Sequence, residues 1–289
     1  MSEVAIPALI ALLLWWFSTG IILYVVGLPP RTYRVSVALS AALGMLALLV
    51  LANGKQNTAW DATTAFTCAL AVWGFVEMTF LTGYVTGSRK MPCPPDSKGW
   101  LRVRFAIEAI FYHELLLLLA GAAIFAATGG RARFALAVFA ILWVMRLSSK
   151  LNLFLGVPML NAELLPAQLG HLKSYFRRRS MNLLFPFSVA GSAVVTAVLI
   201  HRASSDGASE YSVAAYTLMA TLLALGLLEH LFMLMPIPIA GLWGPQIKAR
   251  YKQAEEDAER QLARNATPVV DLTAARAHNR RIRSIGGIQ

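Results

Sequence analysis

The chain has 289 residues, 57% of them hydrophobic and only 14% charged, with a mean hydropathy of +0.58; an average soluble domain is far more polar, so this composition excludes one. A net charge of +11 would suggest nucleic acid as the partner of a soluble protein. Here the basic residues gather between and after apolar runs, which makes them membrane-orienting and excludes nucleic-acid binding.

Seven apolar stretches follow in order, at 7–28, 33–52, 62–86, 104–127, 134–155, 182–200 and 211–235. Each has roughly the 20 residues that cross a hydrocarbon core, and the reading is an all-α, polytopic protein with seven transmembrane helices. The first run lacks a positive n-region and continues to full spanning length, so it reads as a helix rather than a cleaved signal. Pro29-Pro30 and Pro236-Ile237-Pro238 mark helix ends most clearly. Cys68, inside the third run, and Cys93, in a Pro-rich loop, read as free thiols.

Orientation follows from Lys and Arg. Of the 26, only Lys55, Arg131, Arg133 and Arg202 fall in the loops of one side; the rest fall on the other. This puts the N-terminus outside, in the periplasm, and the C-terminus in the cytoplasm, as an odd number of spans requires.

Two cytoplasmic segments have a character of their own. Residues 156–181 are too apolar for a free loop. Within them 168–179 sets Leu169, Leu172 and Phe176 at helical spacing beside Lys173 and Arg177 to Arg179. That pattern suits a helix lying in the membrane interface, and equally a basic loop that obeys the positive-inside rule. Residues 1–245 thus form the transmembrane domain, and 246–289 a charged cytoplasmic tail, helical to about 265 and then disordered. No internal repeat points to a transporter.

Nine polar residues fall inside the spans: Glu77 in the third, Glu108, His113 and Glu114 in the fourth, Arg146, Lys150 and Asn152 in the fifth, and Glu229 with His230 in the seventh. All lie within about ten residues, or about 15 Å, of the cytoplasmic helix ends, so they form one polar layer beneath a dry outer half. In the fourth span, His113 lies about 140° and Glu114 about 120° around the helix from Glu108, in opposite senses. Polar groups pointing three ways suggest a central helix, with Glu108 nearest the headgroups. Arg146 and Lys150, spaced i, i+4, make a basic stripe suited to one or two of the glutamates. The layer reads either as internal ion pairing that fixes helix packing or as a ligand site.

Two His and four Glu match the inventory of carboxylate-bridged metal centres, but the Glu-x-x-His spacing is missing. A metal site built from Glu77, His113, Glu114, Glu229 and His230 is therefore the weaker alternative, implying a metal-dependent membrane enzyme acting on a tetrapyrrole or isoprenoid. His113 and His230 are also candidate axial ligands to a haem or a chlorophyll-type magnesium. No Walker, Rossmann, G-x-S-x-G or C-x-x-C motif occurs, and no known enzymatic activity is indicated.

Several stretches taken together resemble one family. They are Trp15-Trp16-Phe17-Ser18-Thr19-Gly20, the run from Trp73 through Glu77 to Gly87, Tyr112-His113-Glu114-Leu115, the run from Ser149 through Lys150 and Asn152 to Pro158, and Asn182-Leu183-Leu184-Phe185-Pro186. The family is photosynthetic complex assembly protein 2, PuhE, of anoxygenic phototrophic bacteria, and the resemblance runs from Trp15 to Pro236. It implies a protein of the bacterial cytoplasmic membrane that supports biogenesis of the reaction centre and core antenna, with an influence on bacteriochlorophyll supply. The expected partners are membrane lipids and reaction-centre or antenna subunits or their assembly factors; the expected ligand is a transiently held bacteriochlorophyll. Its motif residues are Glu77, His113, Glu114, Lys150 and Asn152. With Arg146, Glu229 and His230 they are the candidates for contact with a pigment or partner.

Overall fold

A computed structural model describes residues 2–131, 133–162 and 165–235. Seven helices carry the chain: α1 (Ser2–Val26), α2 (Tyr33–Ala52), α3 (Ala59–Leu81), α4 (Gly99–Thr128), α5 (Arg133–Leu155), α6 (Leu184–Ala203) and α7 (Glu210–Leu231). All seven are long and apolar enough to cross a membrane, and no strand occurs among the described residues. This is an all-helical, multi-pass membrane protein. The charged tail expected at 246–289 lies outside the described residues.

Local chemistry moves several boundaries from those the hydropathy gives. Helix α3 starts three residues early because Thr58 Oγ1 accepts from Asp61 N at 3.1 Å while the Asp61 carboxylate accepts from Thr58 N at 3.0 Å, a reciprocal cap. It stops at Leu81, short of 86, because Gly83 takes φ +79° and Val85 N turns back to Thr79 O at 3.0 Å. Helix α4 starts at Gly99 and ends where Gly129 adopts a left-handed φ of 56°. Asn182 stays outside α6 and caps it, its Oδ1 accepting from Leu184 N at 2.9 Å and Phe185 N at 3.1 Å.

The centre of the bundle is α3, which packs against α1, α2, α4, α5 and α7. Half of its spanning window is buried, against 28% for α4, which corrects the expectation of a central fourth span. One face of α4, with Phe111, Tyr112, Leu115, Leu118, Leu119 and Phe125, is exposed. The three polar directions of α4 are served separately: Glu108 pairs with Arg104 at 2.8 Å on the surface, and the other two side chains turn to α3 and α5. Lone polar groups need only a local partner, not burial all round.

One half of the bundle is dry, with Phe66, Leu117, Ile124, Val138, Phe139 and Leu218 wholly or almost wholly buried in a single cluster. The other half, where α1, α3, α5 and α7 end and most basic residues lie, we call the basic end. The segment after α5 closes this end. Residues expected to form an interfacial helix or a free basic loop instead form a 3-10 helix, Ala167–Tyr175. Its Leu169, Leu172 and Tyr175 are buried against Val26, Met78, Phe80, Leu81 and Ala109 rather than against lipid.

Backbone bonding explains the difference. Val157 N donates to Arg177 O and Arg179 N to Val157 O, each at 3.2 Å, in an isolated parallel bridge. Buried Arg102, stacked 4.2 Å over the Phe154 ring, donates to Phe154 O and Tyr175 O. Gln168 bonds to the Tyr33 hydroxyl, which donates to Val26 O at 2.8 Å. Burial within this cap pushes the His171 imidazole below and the Tyr175 phenol above their ordinary ranges.

Candidate functional site

The chemistry of the polar layer is organised by one stripe on α5. Trp143, Arg146 and Lys150 fall within about 60° of one another at 100° per residue, so all three reach toward α3 and α4. Arg146 Nη2 donates to Glu77 Oε2 at 3.1 Å. Lys150 Nζ donates to Glu114 Oε1 at 2.7 Å, and Trp143 Nε1 to the other oxygen of the same carboxylate at 3.0 Å. Two ion pairs thus tie α5 to α3 and to α4. In a bilayer such pairs exist because each charge would otherwise be stranded.

His113 sits between them without a hydrogen bond. Its ring is fully buried, lies 4.1 Å from the Phe80 ring, and has no partner on either nitrogen. The nearest carboxylate atom, Glu77 Oε1, is 3.8 Å from Nε2, too long for a hydrogen bond. The position of His113 is fixed instead by its backbone. His113 N donates to Thr86 O at 2.8 Å and Arg89 N to Glu108 O at 3.2 Å, so the loop after α3 lies directly on the α4 backbone. Only a glycine allows this approach: a Cβ at Gly87 would stand 2.0 Å from Glu108 O and 2.4 Å from the Ala109 carbonyl carbon.

The opposite face of α5 carries a second network. His230 Nδ1 lies 2.9 Å from Gly226 O, an acceptor, and so carries the proton; Nε2 then accepts from Ser148 Oγ at 2.9 Å. Asn152 donates to Ser148 O at 2.9 Å and to Ser188 Oγ at 3.1 Å. Asn182 in turn donates to Asn152 Oδ1 at 3.1 Å and Gly156 O at 2.9 Å. Every member of this group is engaged, which makes it a packing device joining α5, α6 and α7.

A cavity of about 480 Å³ opens beside the ion pairs, in the range of small-molecule sites. Glu77, Arg146, Lys150 and Glu229 line it, among apolar side chains from α1, α3, α4, α5 and α7. Trp15 and Trp73 also line it. Trp15 hydrogen-bonds to Glu229, which in turn feels the Arg146 charge. Ile107 of α4 and Leu151 of α5 belong to the lining and are 49% and 43% exposed. Leu172 and Tyr175 of the cap form part of its floor.

Residues 1–254 match the family described as Protein of unknown function (DUF3623). The chain belongs to that family. A relative 36% identical over 267 residues, covering 90% of this chain and 96% of its own length, is the "Uncharacterized 30.4 kDa protein in puhA 5'region" of Rhodobacter capsulatus. No solved structure matches the chain.

In this DUF3623 chain the candidate layer therefore divides. Glu77, His113, Glu114, Arg146 and Lys150 come together, with Glu229 across the cavity, while Asn152 and His230 belong to the separate packing network. Glu108 stands apart on the surface. The five residues of the metal alternative do not converge: among the described residues no three of His, Cys, Asp and Glu are grouped as a metal ion would require. Nor do the histidines fit a pigment magnesium. Both ring nitrogens of His230 are engaged, and His113 is packed against Phe80 and does not line the cavity.

Sequence reasoning missed Trp143, Ser148, Ser188 and Asn182. Helical spacing carries the signal for two of them, since Trp143 is one heptad before Lys150 and Ser148 one turn before Asn152. Ser188, on α6, and Asn182, just before it, have no such spacing signal, although Asn182 opens one of the stretches that carry the family resemblance.

Proposed function

We propose that the protein is PuhE, a non-enzymatic membrane assembly factor that supports biogenesis of the photosynthetic reaction centre and core antenna complex. It sits in the bacterial cytoplasmic membrane with the N-terminus periplasmic and the C-terminus cytoplasmic, and holds a client subunit or a bacteriochlorophyll on its way to one. The observation that carries this reading is the relative at 36% identity over nearly the whole of both chains, whose position beside puhA points to a photosynthesis gene cluster. The cavity supports it, because a largely apolar site within a membrane bundle suits a molecule taken from, and returned to, the bilayer.

Cross-linking in native membranes tests the proposal. A photoreactive side chain at Arg178 or Arg179, both exposed on the cap, is expected to capture a reaction-centre or antenna subunit or one of their assembly factors. Adducts confined to unrelated membrane proteins would overturn it.

A further inference from the structure

We infer that the cavity takes an uncharged, carbonyl-bearing amphiphile with a prenyl-type tail, held at its oxygen atoms by Arg146 and Lys150 rather than through a metal on histidine. The inference rests on the holding role proposed above. Three observations carry it.

The first is charge. Glu77 pairs with Arg146 and Glu114 with Lys150, which leaves Glu229 as the lining carboxyl without an ion pair among the described residues. An anionic head would add like charge beside Glu229 and meet no unpaired cation, because Arg146 and Lys150 are already matched by Glu77 and Glu114. In a low-dielectric bundle that is costly, so the site favours an uncharged polar head over an anionic one.

The second is unused hydrogen-bonding capacity. The Arg146 side chain is 39% exposed although it lies within a span, it lines the cavity, and among the described residues it makes a hydrogen bond only through Nη2, to Glu77. A guanidinium with spare N–H groups matches a carbonyl oxygen.

The third is the position of the histidines. No histidine is among the described lining residues, so a tetrapyrrole in the cavity meets donors for its carbonyl groups and no imidazole of the described residues for its metal. The rest of the lining, Ile22, Leu70, Leu142, Leu147 and Phe154 among it, suits an isoprenoid chain.

Trp15 and Trp73 in the wall supply the readout. Full-length protein in mild detergent is titrated with decylubiquinone, bacteriochlorophyll a and magnesium-free bacteriopheophytin a while tryptophan quenching is followed. Saturable quenching is expected from the quinone, and the two tetrapyrroles should bind within about threefold of each other. Thr19→Phe, which fills the cavity from α1 without touching the ion pairs, should weaken binding about tenfold or more. Leu39→Phe, on the exposed face of α2, should not.

Linear, unsaturable quenching in every arm, or equal quenching of the Thr19→Phe variant, would overturn the inference. So would binding that requires the magnesium and vanishes in His113→Phe. Tighter binding of palmitate than of decylubiquinone would overturn the uncharged head. Binding without subunit cross-links sinks the assembly reading alone; cross-links without binding sink this inference alone.

Discussion

Replacing Arg146 by Met removes the cation that faces Glu77, and the outcome depends on how differently the two partners are buried. Glu77 is 4% exposed, and without Arg146 the remaining ion-pair contact among the described residues is the His113 ring at 3.8 Å, outside hydrogen-bond range. Removing one member of such a pair costs roughly 3–5 kcal/mol, because an uncompensated charge stays buried. Glu77→Met is milder, about 1–3 kcal/mol: the guanidinium it leaves behind is 39% exposed to the cavity and still feels Glu229. With both residues replaced by Met, no charge is stranded and the net change falls to about 1–2 kcal/mol. The assay is a double-mutant cycle read from unfolding of the purified protein against SDS mole fraction. A double variant as unstable as the sum of the singles, or an Arg146→Met cost below about 1 kcal/mol, would refute the pairing argument.

The two membrane histidines should respond unequally to the same SDS titration. His230→Leu removes the hydrogen bonds to Ser148 Oγ and Gly226 O, while Ser148 keeps Ser188, and costs about 1–3 kcal/mol, whereas His113→Phe, replacing a ring that makes no hydrogen bond and stacks on Phe80, costs less than about 1.5 kcal/mol. Gly87→Ala should be among the most damaging single changes, because its Cβ would stand 2.0 Å from the Glu108 carbonyl oxygen; a loss above about 3 kcal/mol or failure to accumulate in membranes is expected. His171, held below its ordinary range by burial, resists protonation in the folded cap while the unfolded chain accepts it. Stability should therefore fall as pH drops through about 6.5, seen as faster hydrogen exchange across 167–175, and His171→Gln should flatten the profile.

Hydropathy alone determines that the chain is a helical membrane protein with seven spans, because twenty consecutive apolar residues can satisfy their backbone groups in lipid only as a helix. The depth of the polar layer is equally legible, since position along a helix is a simple count. The boundaries of α3 and α4 are less so: the cap at Thr58 and Asp61, the turn at Gly83 and the start at Gly99 all lie where hydropathy carries no signal.

Which face of each helix meets which neighbour is a tertiary outcome. Periodicity places Arg146 and Lys150 on one stripe, but it does not choose Glu77 for the first and Glu114 for the second. Nor does it put α3 rather than α4 at the centre. The segment from 167 to 175 reads as amphipathic against lipid or water, and only its contacts with α3 and α4 reveal that the apolar face is buried in the protein. His113 and His230 look equivalent in the sequence, two imidazoles at similar depth in apolar helices. The fold makes one a hydrogen-bonded joint between α5 and α7 and leaves the other unpartnered, because hydrogen bonding depends on atoms brought together from distant parts of the chain, and residue spacing along one helix cannot specify them.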